Sequence, residues 1–343
     1  MLQHKDKQRW RFPLSIFFII SVGMLYLNPA SSLAAQNKVN FEAEALLPEN
    51  QKSTASYYDL KVEPGQIQDL TIKLKNTSDE KVTVKVEANN AITNKNGVLD
   101  YSQHGQPLLE GPAFEAMISP PQAIDLGPKE EKNVSFQLRI PSEGFAGTVL
   151  GGFYCYEDKP ENQEEQSSFS LANKFAYTIG VQLNESDKKL NPKLQLTKIK
   201  PGLENGYLTV FATLENQQPL IMSQLEMNAI VTKKGHKETL RELNKTVSLA
   251  PRSRFTFPIN WENEPLKKGN YELKINLKDT TGKTWQLKKD FTIEGKDEDL
   301  NKKAVDVKEA SNHSIVYLSL MIVVCLAIIG VLLGYIAKIR KKN

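Results

Sequence analysis

Four histidines and two cysteines are the only imidazoles and thiols in this 343-residue chain. His4 sits in a basic N-terminal segment and His313 abuts a long apolar run, so only His104 and His236 fall in regions that read as folded, in different halves. A zinc site needs several His, Cys or carboxylate ligands at close spacing, and no such cluster occurs. Nor is there a Gly-x-Ser-x-Gly elbow, a phosphate loop or a paired-histidine motif. Cys155 with His104 is the one Cys-His pair that falls in a single half. Cys155 lies inside a strand-like apolar run, where a thiol serves as a small buried hydrophobe. Asn94-Lys95-Asn96-Gly97 with Asp100 has too few oxygens for a calcium loop, and Asn-Gly is a strong turn signal. These residues point to no catalysis, no metal and no cofactor.

What remains is binding chemistry. Tyr57, Tyr58, Phe153, Tyr154 and Tyr156 are clustered aromatics, of which about half are expected to face a core. Exposed tyrosines stack on sugar rings, and polar neighbours hydrogen-bond to hydroxyls and peptide stems. The candidate ligand-binding set is Tyr57, Tyr58, Asp59, Asn76, Phe153 and Tyr154. Trp285-Gln286-Leu287 reads as two core residues flanking a surface one.

The elements that must position these residues are strands. Leu70, Ile72 and Leu74 alternate with polar residues, as do Val82, Val84, Val86 and Ala88, with Asn76-Thr77-Ser78-Asp79 as the turn between them. Val134 to Ile140, the apolar run Phe145 to Tyr156, and Phe175 to Leu183 continue the pattern, giving at least six strands with Tyr57–Val62. Residues 190–294 hold about seven more, among them Leu208 to Leu214, Leu225 to Val231, Phe255 to Trp261 and Tyr271 to Leu277. The fold class is all-β: two tandem immunoglobulin-like β-sandwich domains. Residues 157–172 are polar, like a linker, but the second half is complete without 173–183 and the first half lacks its last strand. We therefore place the first domain at 40–186, with 157–172 as an internal loop, and the second at 188–294. Residues 295–313, rich in Lys, Asp and Glu, read as a solvated stalk.

Both ends carry targeting signals. Lys5, Lys7, Arg9 and Arg11, the apolar stretch Leu14 to Leu27 and small residues at Ser32 and Ala34 form a signal peptide, 1–34, cut after Ala34. Ser314 to Ala337 is 24 residues without a charge, enough to cross a hydrocarbon core of about 30 Å. The basic tail 338–343 then stays in the cytoplasm. The formal net charge of +4 divides into +3 before residue 14 and +4 in the tail, which leaves −3 on 35–313. The exported part lacks the positive field that nucleic acid requires.

Several stretches resemble the WxL-interacting protein family of Gram-positive bacteria. In the first half these are Tyr57-Tyr58-Asp59-Leu60-Lys61-Val62-Glu63-Pro64-Gly65-Gln66, Leu74 to Ser78, Asn94 to Gly97, Pro128 to Glu131 and Gly147 to Tyr154. In the second half Tyr177 to Leu183, Lys200-Pro201-Gly202, Leu214 to Pro219 and Val231 to Gly235 are similar to the family's second module. The resemblance implies two immunoglobulin-like modules, one peptidoglycan-binding and one host-binding. It also implies partnership with WxL-domain surface proteins and with peptidoglycan, and with a host extracellular protein. The expected role is a non-catalytic, membrane-anchored surface adaptor. The alternative is a chaperone-like assembly factor outside the cytoplasm that lends strand edges to secreted partners.

Overall fold

Alternating β-branched and polar residues build seventeen strands in the computed structural model, which describes residues 39–158, 175–186, 188–308 and 320–331. The signal peptide and the loop residues 159–174 lie outside the described residues. In the first half, β1 (Phe41–Leu46), β3 (Ile67–Asn76) and β8 (Glu131–Arg139) form a three-stranded sheet in the order β1-β3-β8. Facing it is a five-stranded sheet of β2 (Tyr58–Lys61), β10 (Ala176–Asn184), β9 (Thr148–Glu157), β4 (Val82–Asn90) and β7 (Gln122–Leu126), ordered as written. Every pairing is antiparallel except β2 with β10. The two sheets meet at Phe153, whose ring touches Tyr58, Phe136 and Phe114 at centroid distances of 6.1, 4.8 and 5.9 Å. Phe114 belongs to a one-turn helix, α1 (Phe114–Met117).

The second half stacks β11 (Leu194–Glu204), β12 (Tyr207–Asn216) and β15 (Ser253–Asn260) on a four-stranded sheet. That sheet runs β14 (Thr239–Leu249), β13 (Met222–Lys233), β16 (Gly269–Lys278) and β17 (Thr284–Ile293). One apolar cluster fills the space between, from Val210 and Phe257 on one sheet to Ala229, Leu273 and Ile275 on the other. Trp285 and Leu287 pack against it while Gln286 is exposed.

Both halves close a strand end with the same side chain. Asn76 of β3 donates to Glu80 O and Gly127 O at 2.6 and 2.8 Å and accepts from Ser78 N at 2.8 Å. Asn216 of β12 donates to Leu220 O and Ala250 O at 2.7 and 2.9 Å and accepts from Gln218 N. A buried amide bonded to three main-chain groups fastens the strand to its turn, and removing it would take one hydrogen bond from each of them.

The two halves are joined by more than the chain. A short hairpin, β5 (Ile92–Thr93) with β6 (Leu99–Asp100), carries the Asn94 to Gly97 turn into the second half. Gly97 has φ +75°, and a Cβ there would lie 2.4 Å from Val247 Cγ1, so only glycine fits. Gly97 O accepts from Ser248 N at 2.7 Å, and Thr93 Oγ1 accepts from Ala250 N at 2.9 Å. Arg252 is buried at the same seam, where its carbonyl accepts from Leu109 N at 2.7 Å and its guanidinium donates to Pro112 O. Thr148 N donates to Pro219 O at 2.8 Å.

The segment after β17 departs from the expected solvated stalk. Residues Gly295–Asp299 form a 3₁₀ turn and Leu300–Lys303 a short helix, α2. Asn301 exchanges two hydrogen bonds with the Leu266 main chain, Val305 N donates to Gly206 O, and Lys308 N donates to Asn263 O. Leu300, Ala304 and Val307 pack on the second core. Only Leu300 lies in that helix, which ends at Lys303; the extended backbone from Ala304 carries the other two onto the core, so no helical period marks them in this charged stretch. Residues 295–308 therefore pack against the second sandwich. Of the apolar run 314–337, residues 320–331 are helical and exposed. No helix among the described residues is long and apolar enough to cross a membrane.

Candidate functional site

The outer face of the five-stranded sheet is where the aromatic candidates fall, and alternation along each strand decides which of them reach it. Tyr58 and Phe153 point inward and are fully buried. The Tyr58 hydroxyl donates to Thr71 O at 2.5 Å, and burial pushes its pKa up. Asn76 is equally buried, as the strand-end clasp described above. These three belong to the framework rather than to a ligand surface, because their polar or aromatic faces are already occupied. Tyr57 is 41% exposed and Tyr154 and Asp59 are half-buried on the outer side. Asp59 accepts from Gln182 Nε2 at 3.2 Å.

Three cross-strand rows make up this face. In the first, Asn89, Gly152 and Gly180 lie opposite one another on β4, β9 and β10. The paired glycines form a floor: a Cβ on Gly152 would meet the Tyr101 ring at 2.8 Å, and one on Gly180 would lie 3.7 Å from Tyr57 Cβ. Tyr101 and Tyr57 thus cover the two bare positions, and burial pushes the Tyr101 hydroxyl up to about 12. The second row is Glu87, Tyr154 and Thr178, and the third Lys85, Tyr156 and Ala176. Tyr154 and Tyr156 pack at 5.4 Å. Lys85 lies over the Tyr156 ring, and the Tyr156 hydroxyl donates to Glu87 at 3.0 Å.

Beside this face the sandwich is open. Among the described residues β2 covers only Val181–Asn184 of β10, and the first half of β10 borders a cavity of about 580 Å³. Its walls include Glu44, Tyr57, Tyr101, Tyr177 and Gln182, and the second sandwich contributes Ile221. Tyr101 and Ile221, which sequence reasoning passed over, are placed here by the seam between the halves. No periodicity in the sequence signals that seam.

Cys155 faces the core and burial alone pushes its thiol up to about 12, so it is neutral and inert. His104 stands exposed, its Nδ1 2.9 Å from Asn89 Oδ1. The two do not form a nucleophile–base pair. No group of three or more His, Cys, Asp or Glu among the described residues could hold a metal ion.

Comparison with known proteins divides the chain between residues 157 and 166, ahead of β10. The family model described as "WxL Interacting Protein, peptidoglycan binding domain" matches residues 41–157, and that described as "WxL Interacting Protein, host binding domain" matches residues 166–302. No curated protein sequence matches the chain. Among solved structures, the YadV chaperone is 11% identical with a TM-score of 0.30, the match covering 74% of this chain and 100% of that one. The E. coli chaperone DraB is 14% identical with a TM-score of 0.25, covering 68% and 90%. Superpositions this loose assign no function.

Proposed function

Because the chain belongs to the WxL-interacting protein family, whose two modules are binding domains, we propose that it is a non-catalytic adaptor at the Gram-positive cell surface. In this reading the first module holds peptidoglycan, the chain partners WxL-domain proteins, and the second module reaches a host extracellular protein. The observation that supports it is the tyrosine-walled cavity of about 580 Å³ beside the β10 edge, with Tyr57, Tyr101 and Gln182 offering ring faces and hydrogen bonds together. Such surfaces suit sugar rings and peptide stems.

Full-length protein in mild detergent is expected to co-sediment with insoluble purified peptidoglycan. Tyr57→Ala should weaken retention about two- to tenfold, the equivalent of about 0.5–1.5 kcal/mol for one stacked ring, with an unchanged melting temperature. Retention unaffected by Tyr57→Ala would remove the cavity from the reading. If instead a WxL-domain protein slows amide exchange along Ala176–Gly180, the cavity accepts a strand and the assembly-factor alternative takes over.

The anchor is part of the proposal. The uncharged run 314–337 spans the membrane, the signal peptide is removed, and Lys338, Arg340, Lys341 and Lys342 hold the C-terminus inside. A reporter that works only in the cytoplasm is expected to be active when fused after Asn343. Activity solely from an externally folding reporter at that site would reverse the orientation.

A further inference from the structure

Three asparagines and a glutamine line up across the middle of the second sandwich's four-stranded sheet. Asn244 of β14 lies opposite Asn228 of β13, Asn228 opposite Asn276 of β16, and Asn276 opposite Gln286 of β17. All four sit in the outward-facing phase of their strands, exposed or half-buried. With strands about 4.8 Å apart, the row spans roughly 14 Å.

The amides are wired together. Gln286 Nε2 donates to Asn276 Oδ1 at 2.9 Å, Asn276 Nδ2 to Asn228 Oδ1 at 3.3 Å, and Asn228 Nδ2 to Asn244 Oδ1 at 2.8 Å. Glu242 Oε1 accepts from Asn228 and Asn244 at 2.7 and 3.1 Å and so fixes the direction of the chain. Each amide has two donor hydrogens and an oxygen with two lone pairs. Among the described residues the ladder leaves the Gln286 oxygen and one hydrogen each on Gln286, Asn276 and Asn244 unused. These groups line a shallow groove of about 760 Å³, with Thr246 and Thr284 in the next row and Trp285 in its wall.

Asparagine is disfavoured in strands, yet three of them take matched central positions across this sheet. Such exceptions concentrate at functional sites. The row's own side chains are uncharged; the Glu242 carboxylate beside it is taken up by two of its amides, Lys278 and Lys288 pair with Glu226 at 3.7 Å and with Glu272, and Lys274 stands in the neighbouring row. A partner matched to this row needs donors and acceptors in quick succession and no charge, which describes the hydroxyls of a sugar chain. We propose that this face binds a neutral glycan laid across the strands. The face shares no residue with the cavity of the first module, so the inference names a ligand class for the second module and stands whether or not the first one holds peptidoglycan.

The test is a printed array of neutral oligosaccharides with sialylated and sulfated ones alongside, probed with the full-length protein in a detergent that has no sugar headgroup. Retention on neutral glycans is expected, insensitive to high salt. Asn228→Thr with Asn276→Thr, a pair that suits a strand better than the residues it replaces, should lower retention about tenfold or more without lowering the melting temperature. Peptidoglycan co-sedimentation should be unchanged in that variant, which separates this site from the first module's. No retention by the unmodified protein, retention confined to the anionic glycans, or full retention by the double variant would each overturn the proposal. A double variant that melts earlier while the unmodified protein retains nothing would make the ladder a structural clasp only.

Discussion

A chain of residues 35–165 is expected to aggregate on expression, whereas a chain of residues 35–186 folds and melts in one transition. The family matches divide the chain between residues 157 and 166, yet β10, at Ala176–Asn184, hydrogen-bonds to β9 along its whole length and to β2 at its end. Cutting at 165 removes an interior strand. It uncovers one edge of β9, strands β2 alone, and exposes the core that Ile179, Val181 and Leu183 had covered. Each of those side chains stabilises the fold by about 1.5–3 kcal/mol, and the sum is comparable to the whole stability of about 5–15 kcal/mol of an ordinary domain. The complementary piece, residues 188–308, is expected to fold without β10. It should need the docked Leu300, Ala304 and Val307, so ending it at 294 should lower its melting temperature. Circular dichroism melts of the four pieces check this, and a well-folded 35–165 would assign β10 to the second domain.

The second large effect is expected at Phe153. Its ring bridges both sheets and α1 through Tyr58, Phe136 and Phe114. Phe153→Ala should cost about 3–5 kcal/mol, enough to leave a substantial unfolded fraction at physiological temperature if the domain sits near the low end of ordinary stability. Chemical denaturation of the Phe153→Ala and Tyr154→Ala variants separates framework from surface. Tyr154, on the outer face, should change stability by less than about 1 kcal/mol. Equal losses at the two positions would mean that the outer ring is as structural as the inner one.

Adjacent residues differ so much because strand phase is legible in a sequence but its direction is not. Tyr57-Tyr58 and Phe153-Tyr154 each had to place one ring in and one ring out. The alternation of Leu60 and Val62, or of Val149 and Cys155, makes the odd and even sets plain once one member is known to be buried. Asn76 carried a different ambiguity. A polar residue at a strand end reads as a turn or as a ligand, and only the carbonyls of Glu80 and Gly127, the latter 51 positions away, show that it is a clasp. The docked segment 295–308 was not legible, because Leu300, Ala304 and Val307 follow no regular period once the helix ends at Lys303, and the surrounding Lys and Asp residues masked them.

The sequence by itself determined the all-β class, seven strands in the second half and the inert buried thiol. Those depend on local alternation and on residue type, which are properties of short stretches. Only the tertiary structure decided that the Asn94 to Gly97 turn and Arg252 pin the two sandwiches together, that Ile221 reaches a cavity of the first, and that Asn244, Asn228, Asn276 and Gln286 share one row. Each of these depends on register between strands far apart in the chain. Register is set by how two pleated surfaces fit when they meet, a quantity no window of sequence contains.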